Sequence, residues 1–161
     1  MNSTSNNPNR PRRKNSLRLK NFDYSTPRAY FITICVDNGR TTFSDRKLAE
    51  MTIEFLRKSK EKNNYRIYAY CLMPDHLHIL MNPESANRTV SGLVQTFKSQ
   101  TSFWYKREYG EPLWQRGFYD HIVRENEDLV RIAQYILDNP IRKGLVERTE
   151  DYPYSGRWDD M

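Results

Sequence analysis

The run Ala69-Tyr70-Cys71-Leu72-Met73-Pro74-Asp75-His76-Leu77-His78-Ile79-Leu80-Met81 is the most informative stretch of the chain. Its flanks predict two β-strands, Tyr65 to Leu72 and His76 to Met81, joined by a turn at Met73-Pro74-Asp75. Side chains alternate faces along a strand. Leu77 is therefore expected to enter the core, with His76 and His78 presented together on the opposite face. Two imidazoles on one face begin a divalent-metal site, which needs further ligands to be complete. An isolated pair is equally consistent with packing or hydrogen bonding.

Working outward, Tyr30 to Val36 reads as a buried strand from its β-branched and aromatic content. Asp37-Asn38-Gly39 is a turn signal. Leu48, Met51, Thr52, Phe55 and Leu56 recur at helical spacing, which predicts a helix from Asp45 to about Lys62. Beyond the histidine hairpin, Val90, Leu93, Val94, Phe97, Thr101 and Trp104 mark a second helix from about Arg88 to Tyr109, stopped by Gly110. Phe118 to Arg124 reads as a fourth strand, and Asn126 as the cap of a third helix. That helix should end near Asn139, because Pro140 disfavours helical geometry in the residue before it. The remainder, with Tyr152, Pro153, Tyr154 and Trp158, reads as irregular. The order βαββαβ is the split βαβ arrangement shared by ferredoxin-like and RRM-like folds. An α+β domain is expected, with an antiparallel sheet, two helices on one face and an extra C-terminal helix. The histidine face is expected to be free.

The chain has 161 residues and a net charge of +6. One domain is the default at this length. Residues 1–20 hold Arg10, Arg12, Arg13, Lys14, Arg18 and Lys20 and no acid. Removing these six from the 26 bases leaves 20 bases against 20 acids over residues 21–161. The excess charge is thus confined to residues 1–20, expected to be a basic, flexible N-terminal segment ahead of a neutral folded domain, 21–161. Such an arm is either a nucleic-acid contact or a solvated terminus. The two cysteines, Cys35 and Cys71, lie in apolar strand patterns and read as reduced, buried thiols, which suits a cytoplasmic protein. No apolar run approaches membrane-spanning length, and the N-terminus has no secretory h-region.

On the third helix, Leu129, Ile132, Ala133, Ile136 and Leu137 form the apolar stripe. Tyr135 falls off it, between Arg131 and Asn139. Asn139 is one turn on, close enough to supply an oxygen ligand near the Tyr135 hydroxyl. Taken alone, the pair is also compatible with a surface tyrosine and a helix-ending asparagine. Beside His76 and His78 it becomes chemically coherent, since a metal polarises a phosphate and a phenol attacks it.

These motifs, taken in order, resemble those of the single-tyrosine HUH transposases, and among them the REP-associated tyrosine transposases. Tyr70-Cys71-Leu72-Met73-Pro74-Asp75-His76-Leu77-His78 matches the HUH motif, His-hydrophobic-His. Tyr119-Asp120-His121-Ile122-Val123-Arg124, Tyr135-Ile136-Leu137-Asp138-Asn139-Pro140, Arg18-Leu19, Tyr24-Ser25 and Tyr30-Phe31-Ile32-Thr33-Ile34-Cys35 complete the pattern. The resemblance spans roughly residues 16–155. It implies a metal-dependent enzyme that cleaves and rejoins single-stranded DNA at REP-like hairpins, in the cytoplasm at the nucleoid, with no membrane partner. It further implies His76, His78 and Asn139 as ligands of Mg2+ or Mn2+. Tyr135 would be the nucleophile, with a 5′-phosphotyrosine intermediate and a free 3′-OH. Arg12, Arg13, Lys14, Arg18 and Lys20 would contact DNA. The branch resembles a monomer, although related transposases often act as dimers. His121 is assigned no role beyond structure or proximity to DNA.

Two other classes share parts of the pattern. An RRM-like module binds nucleic acid without chemistry, but its basic glycine-aromatic strand signature is not found here. HUH replication initiators and relaxases share the histidines, but most relaxases place the tyrosine near the N-terminus.

Overall fold

Along strand β1 (Tyr30–Cys35), Tyr30, Ile32 and Ile34 are buried, while Phe31, Thr33 and Cys35 are half-buried on the other face. The computed structural model describes residues 28–85, 87–124, 127 and 129–161. The predicted basic segment 1–20, with Arg12, Arg13, Lys14, Arg18 and Lys20, lies outside them.

Helix α1 (Arg46–Asn63) starts where the Asp45 carboxylate accepts the Leu48 backbone N–H at 3.0 Å. It ends at Asn64, whose φ of +59° is a left-handed geometry that asparagine tolerates. Strands β2 (Tyr65–Met73) and β3 (His76–Pro83) form the expected hairpin around Pro74-Asp75. Helix α2 (Val90–Tyr109) is capped by the Thr89 hydroxyl and stopped by Gly110 at φ +73°. Strand β4 (Tyr119–Ile122), helix α3 (Leu129–Leu137) and a short helix α4 (Asn139–Arg142) follow.

The C-terminal segment departs from the irregular course expected of it. Ser155–Gly156 forms a two-residue strand, β5, paired with Tyr70 and Cys71. The Trp158 ring packs on Tyr70 at 4.3 Å between centroids, and the Tyr152 hydroxyl donates to the Leu72 carbonyl at 2.7 Å. At Gly156 the approach is close, since a Cβ there would stand 3.2 Å from Tyr70 Oη and the tyrosine ring would have to give by a few tenths of an ångström. Two residues are too few to show a strand period, so this element left no signal in the sequence.

The sheet order is β4-β1-β3-β2-β5, with every pairing antiparallel. Helices α1 and α2 cover one face and enclose Ile32, Ile34, Ile67, Leu72, Leu77 and Phe97. Each such side chain contributes roughly 1.5–3 kcal/mol relative to exposure.

The second face is not free. Helix α3 lies across β2 and β3, burying Ala133 and Ile136 against Ala69, Cys71, Met73 and Leu80. A bulge between Ile67 and Ala69 turns both Tyr68 and Ala69 towards this second core. The face that carries the histidines is itself largely apolar, and α3, with Ile136 and Ala133 on its inner stripe, is what covers it. Among the described residues no helix is long and apolar enough to cross a membrane.

Candidate active site

Registers across three strands set the site. His78 stands opposite Thr33 on β1 and Cys71 on β2, and His76 stands opposite Cys35 and Met73. Paired residues share a face, so both imidazoles project towards α3. Their Nε2 atoms approach to 3.1 Å, with the rings 4.5 Å apart and inclined at 71°.

Each ring is held by its other nitrogen. The Asp75 carboxylate accepts a hydrogen bond from His76 Nδ1 at 2.7 Å, and the Thr33 hydroxyl meets His78 Nδ1 at 2.9 Å. A carboxylate can only accept, so His76 Nδ1 bears the proton and its Nε2 offers a lone pair. His78 is 9 % exposed. Burial, reinforced by the charges of His76 and Arg142 and opposed by Asp75, pushes its pKa down to about 3. It is therefore neutral near pH 7. In the absence of a cation, His78 Nε2–H donates to His76, and the Thr33 hydroxyl donates to Nδ1. Moving the His78 proton to Nδ1 makes Thr33 an acceptor and leaves two Nε2 lone pairs converging on one point. A hydroxyl serves either arrangement, so the pair fits a divalent metal with an oriented outer shell.

Among the described residues no three His, Cys, Asp or Glu side chains gather to hold a metal ion. Among the described residues, ligands beyond the two imidazoles would therefore be an amide, a substrate oxygen or water. Asn139 is the amide that the sequence proposed. It is 6 % exposed. It does not continue the tyrosine helix as expected: α3 ends at Leu137, and Asn139 opens α4, with Pro140 in the first turn.

Tyr135 is 45 % exposed on α3. Its ring meets Phe31 edge-on at 6.1 Å, and Phe31 in turn lies 5.1 Å from the His78 ring. The Arg142 guanidinium carbon sits 4.3 Å from the Tyr135 ring centroid. The structure thus brings together His76, His78 and Tyr135, with Phe31 between tyrosine and histidine. His121 lies apart on edge strand β4, opposite Phe31 and hydrogen-bonded to Glu127 at 2.8 Å.

Four residues of this constellation escaped the sequence. Thr33 and Phe31 carried a signal in the alternation of β1, which sets them on the histidine face. Asp75 was absorbed into the turn. Arg142 left no signal.

The family model described as Transposase IS200 like matches residues 26–139, which include both histidines, Tyr135 and Asn139. The chain belongs to this family. It is 27% identical over 150 residues to a Haemophilus influenzae protein provisionally named a REP-associated tyrosine transposase, covering 86% of this chain and 85% of the relative. It is 24% identical over 127 residues to the REP-associated tyrosine transposase of Escherichia coli K12, covering 78% and 74%. The fold is similar to that of a REP-associated tyrosine transposase solved bound to a REP hairpin, with a TM-score of 0.68 and 24% identity over 80% of this chain and 75% of that one. This IS200-like transposase is thus an α+β protein with the antiparallel sheet expected from its sequence, to which β5 and the short α4 are added.

Proposed function

We propose that this transposase cleaves and rejoins single-stranded DNA beside REP-like hairpins, with Tyr135 as nucleophile and His76, His78 and Asn139 as ligands of Mg2+ or Mn2+. The observation that carries the proposal is the convergence of two oriented Nε2 atoms 3.1 Å apart, one aromatic ring away from a half-exposed tyrosine. When bound, the metal would draw charge from a phosphate oxygen. Tyr135 Oη attacks the phosphorus and the bond to O3′ breaks; the phenolic proton passes to water, which reaches the half-exposed ring, and the departing O3′ takes a proton from water. The products are a 5′-phosphotyrosine and a free 3′-OH. Attack of a 3′-OH on that phosphotyrosine reverses the step and returns the proton to Tyr135. The phosphoester energy is kept in the covalent bond, so no nucleotide cofactor is consumed.

Binding without chemistry has less support. An RRM-like module stacks bases on an open sheet face. Here α1 and α2 cover one face and α3 covers the other.

The test is incubation of the full chain with a labelled hairpin carrying a single-stranded flank, with and without Mg2+. A covalent protein–DNA band that needs the metal is expected. Hairpin binding with no covalent band under any metal condition would refute the proposed chemistry.

A further inference from the structure

Arg142 belongs to no motif read from the sequence, yet its guanidinium carbon lies 4.3 Å from the centre of the Tyr135 ring. The two residues are seven apart. On an unbroken helix they would lie on one face, roughly 10.5 Å apart along the axis. The chain breaks at Asp138, between α3 and α4, and the arginine folds back across that break.

The backbone holding it is tied at both ends. The Arg142 N–H donates to the Asp138 carbonyl at 3.0 Å, and the Asp138 N–H donates to that of Gln134 at 2.9 Å. Past α4, Gly144 at φ +69° lets its own N–H reach the Ile141 carbonyl and the Leu145 N–H reach that of Pro140, both at 2.9 Å. Among the described residues no carboxylate stands within ion-pair distance of Arg142. A cation that touches the tyrosine and has no described carboxylate within ion-pair distance is placed for an anionic ligand.

We propose that Arg142 is a positioning residue for Tyr135: it clamps the ring through its face while its N–H donors bind the DNA phosphate that Tyr135 attacks. This rests on the assignment of Tyr135 as nucleophile. A guanidinium carries five donors in a fixed fork that fits a phosphate, and it also stacks on aromatic faces, whereas an ammonium is a point charge on a flexible stem. The Tyr135 ring is bounded by Phe31 at its edge and Arg142 at one face, and so is restricted on two sides before DNA arrives.

The experiment uses the full chain, a hairpin oligonucleotide with a single-stranded flank, and Mg2+. Single-turnover adduct formation is measured for wild type, Arg142→Gln and Arg142→Lys, together with DNA affinity and melting temperature. At saturating DNA, Arg142→Gln should slow adduct formation roughly 100-fold, the scale of losing one preorganised donor, with melting unchanged. Arg142→Lys should recover about a tenth of the wild-type rate, because it keeps charge but loses the fork. A Gln variant that forms adduct at the wild-type rate overturns the proposal while leaving Tyr135 as nucleophile. A second readout needs no chemistry. The Arg142 Nε–H resonance should be displaced by the tyrosine ring current, return to its ordinary position in Tyr135→Leu, and move when hairpin DNA is added. If wild type forms no adduct, the reaction assigned above fails, and this resonance alone decides the clamp. A resonance insensitive to both Tyr135→Leu and DNA overturns it.

Discussion

Thr33 and His78 stand opposite one another in the β1–β3 register, and a 2.9 Å hydrogen bond joins the hydroxyl to Nδ1. This bond orients an imidazole that is neutral at pH 7 and nearly buried. Thr33→Val keeps the shape and removes the partner. Outer-shell partners of this kind are worth about 10–100-fold in metal affinity. Mn2+ titration should therefore show a loss in that range for Thr33→Val, with Thr33→Ser near wild type. An unchanged affinity in the valine variant would show that the hydroxyl does not orient the ligand.

The two histidines should differ in their cost to folding. On an open face, either could be truncated with little penalty. His78 instead sits under α3, beside Phe31 and Thr33, while the His76 side chain, 15 % exposed, lies at the turn. His78→Ala should cost about 1–3 kcal/mol through lost packing and an unpaired hydroxyl, and His76→Ala less. Denaturant titration measures the difference. Both variants should fail to form the covalent adduct, as should wild type in excess EDTA.

Tyr135→Phe removes one oxygen and keeps the ring against Phe31 and Arg142. Fold and hairpin affinity should persist while the adduct disappears. Asn139→Ala should leave the nucleophile in place and raise the metal concentration needed for half-maximal rate. Peptide mass mapping of the trapped adduct decides between Tyr135 and the exposed Tyr119, which shares the histidine face.

Burial pushes the Cys71 thiol up to about 12. A free thiol in the unfolded chain titrates near 8.5. The folded state therefore binds a proton that the unfolded state loses. The resulting stabilisation is fully present below about pH 8.5 and is lost as pH rises towards 12, at up to about 1.4 kcal/mol per pH unit. Stability should accordingly fall with pH across this range, and less so in Cys71→Ala once its own cavity cost is subtracted. At pH 8, iodoacetamide should spare Cys71 until denaturant is added.

Deleting residues 1–15 removes Arg10, Arg12, Arg13 and Lys14. If these contact phosphates, hairpin affinity should drop, and the slope of log affinity against log salt should shrink by about 0.7 per lost contact on single strands. An unchanged slope would show that the arm is not part of the DNA interface.

The first four strands and the two long helices were legible because each shows a clear composition or period and is bounded by turn or cap residues. Asp45, Thr89 and Gly110 act as the caps and stop that residues of their type supply elsewhere. The histidine pair was legible for the same reason, since a period of two decides which face it shares. The covering of that face was not, because α3 is amphipathic whichever surface it meets. Nor was the break after Leu137. Pro140 signals the end of a helix in the sequence, but a proline is equally at home in the first turn of a new one, and here it lies in α4 with Asn139 and Arg142. The bonds from Thr33 and Asp75 depend on register and rotamer, which no local pattern encodes.

The sheet places β3 at its centre, with two strands on either side, whereas α3 is a nine-residue element held by one small apolar stripe. Amide hydrogen exchange should divide the site accordingly. The backbone N–H groups of Leu77 to Leu80 should exchange only when the whole molecule opens, and those around Tyr135 should exchange orders of magnitude sooner through local fraying. A scissile strand would then meet a metal-binding floor that keeps time on the scale of global unfolding, beneath a tyrosine that breathes far faster.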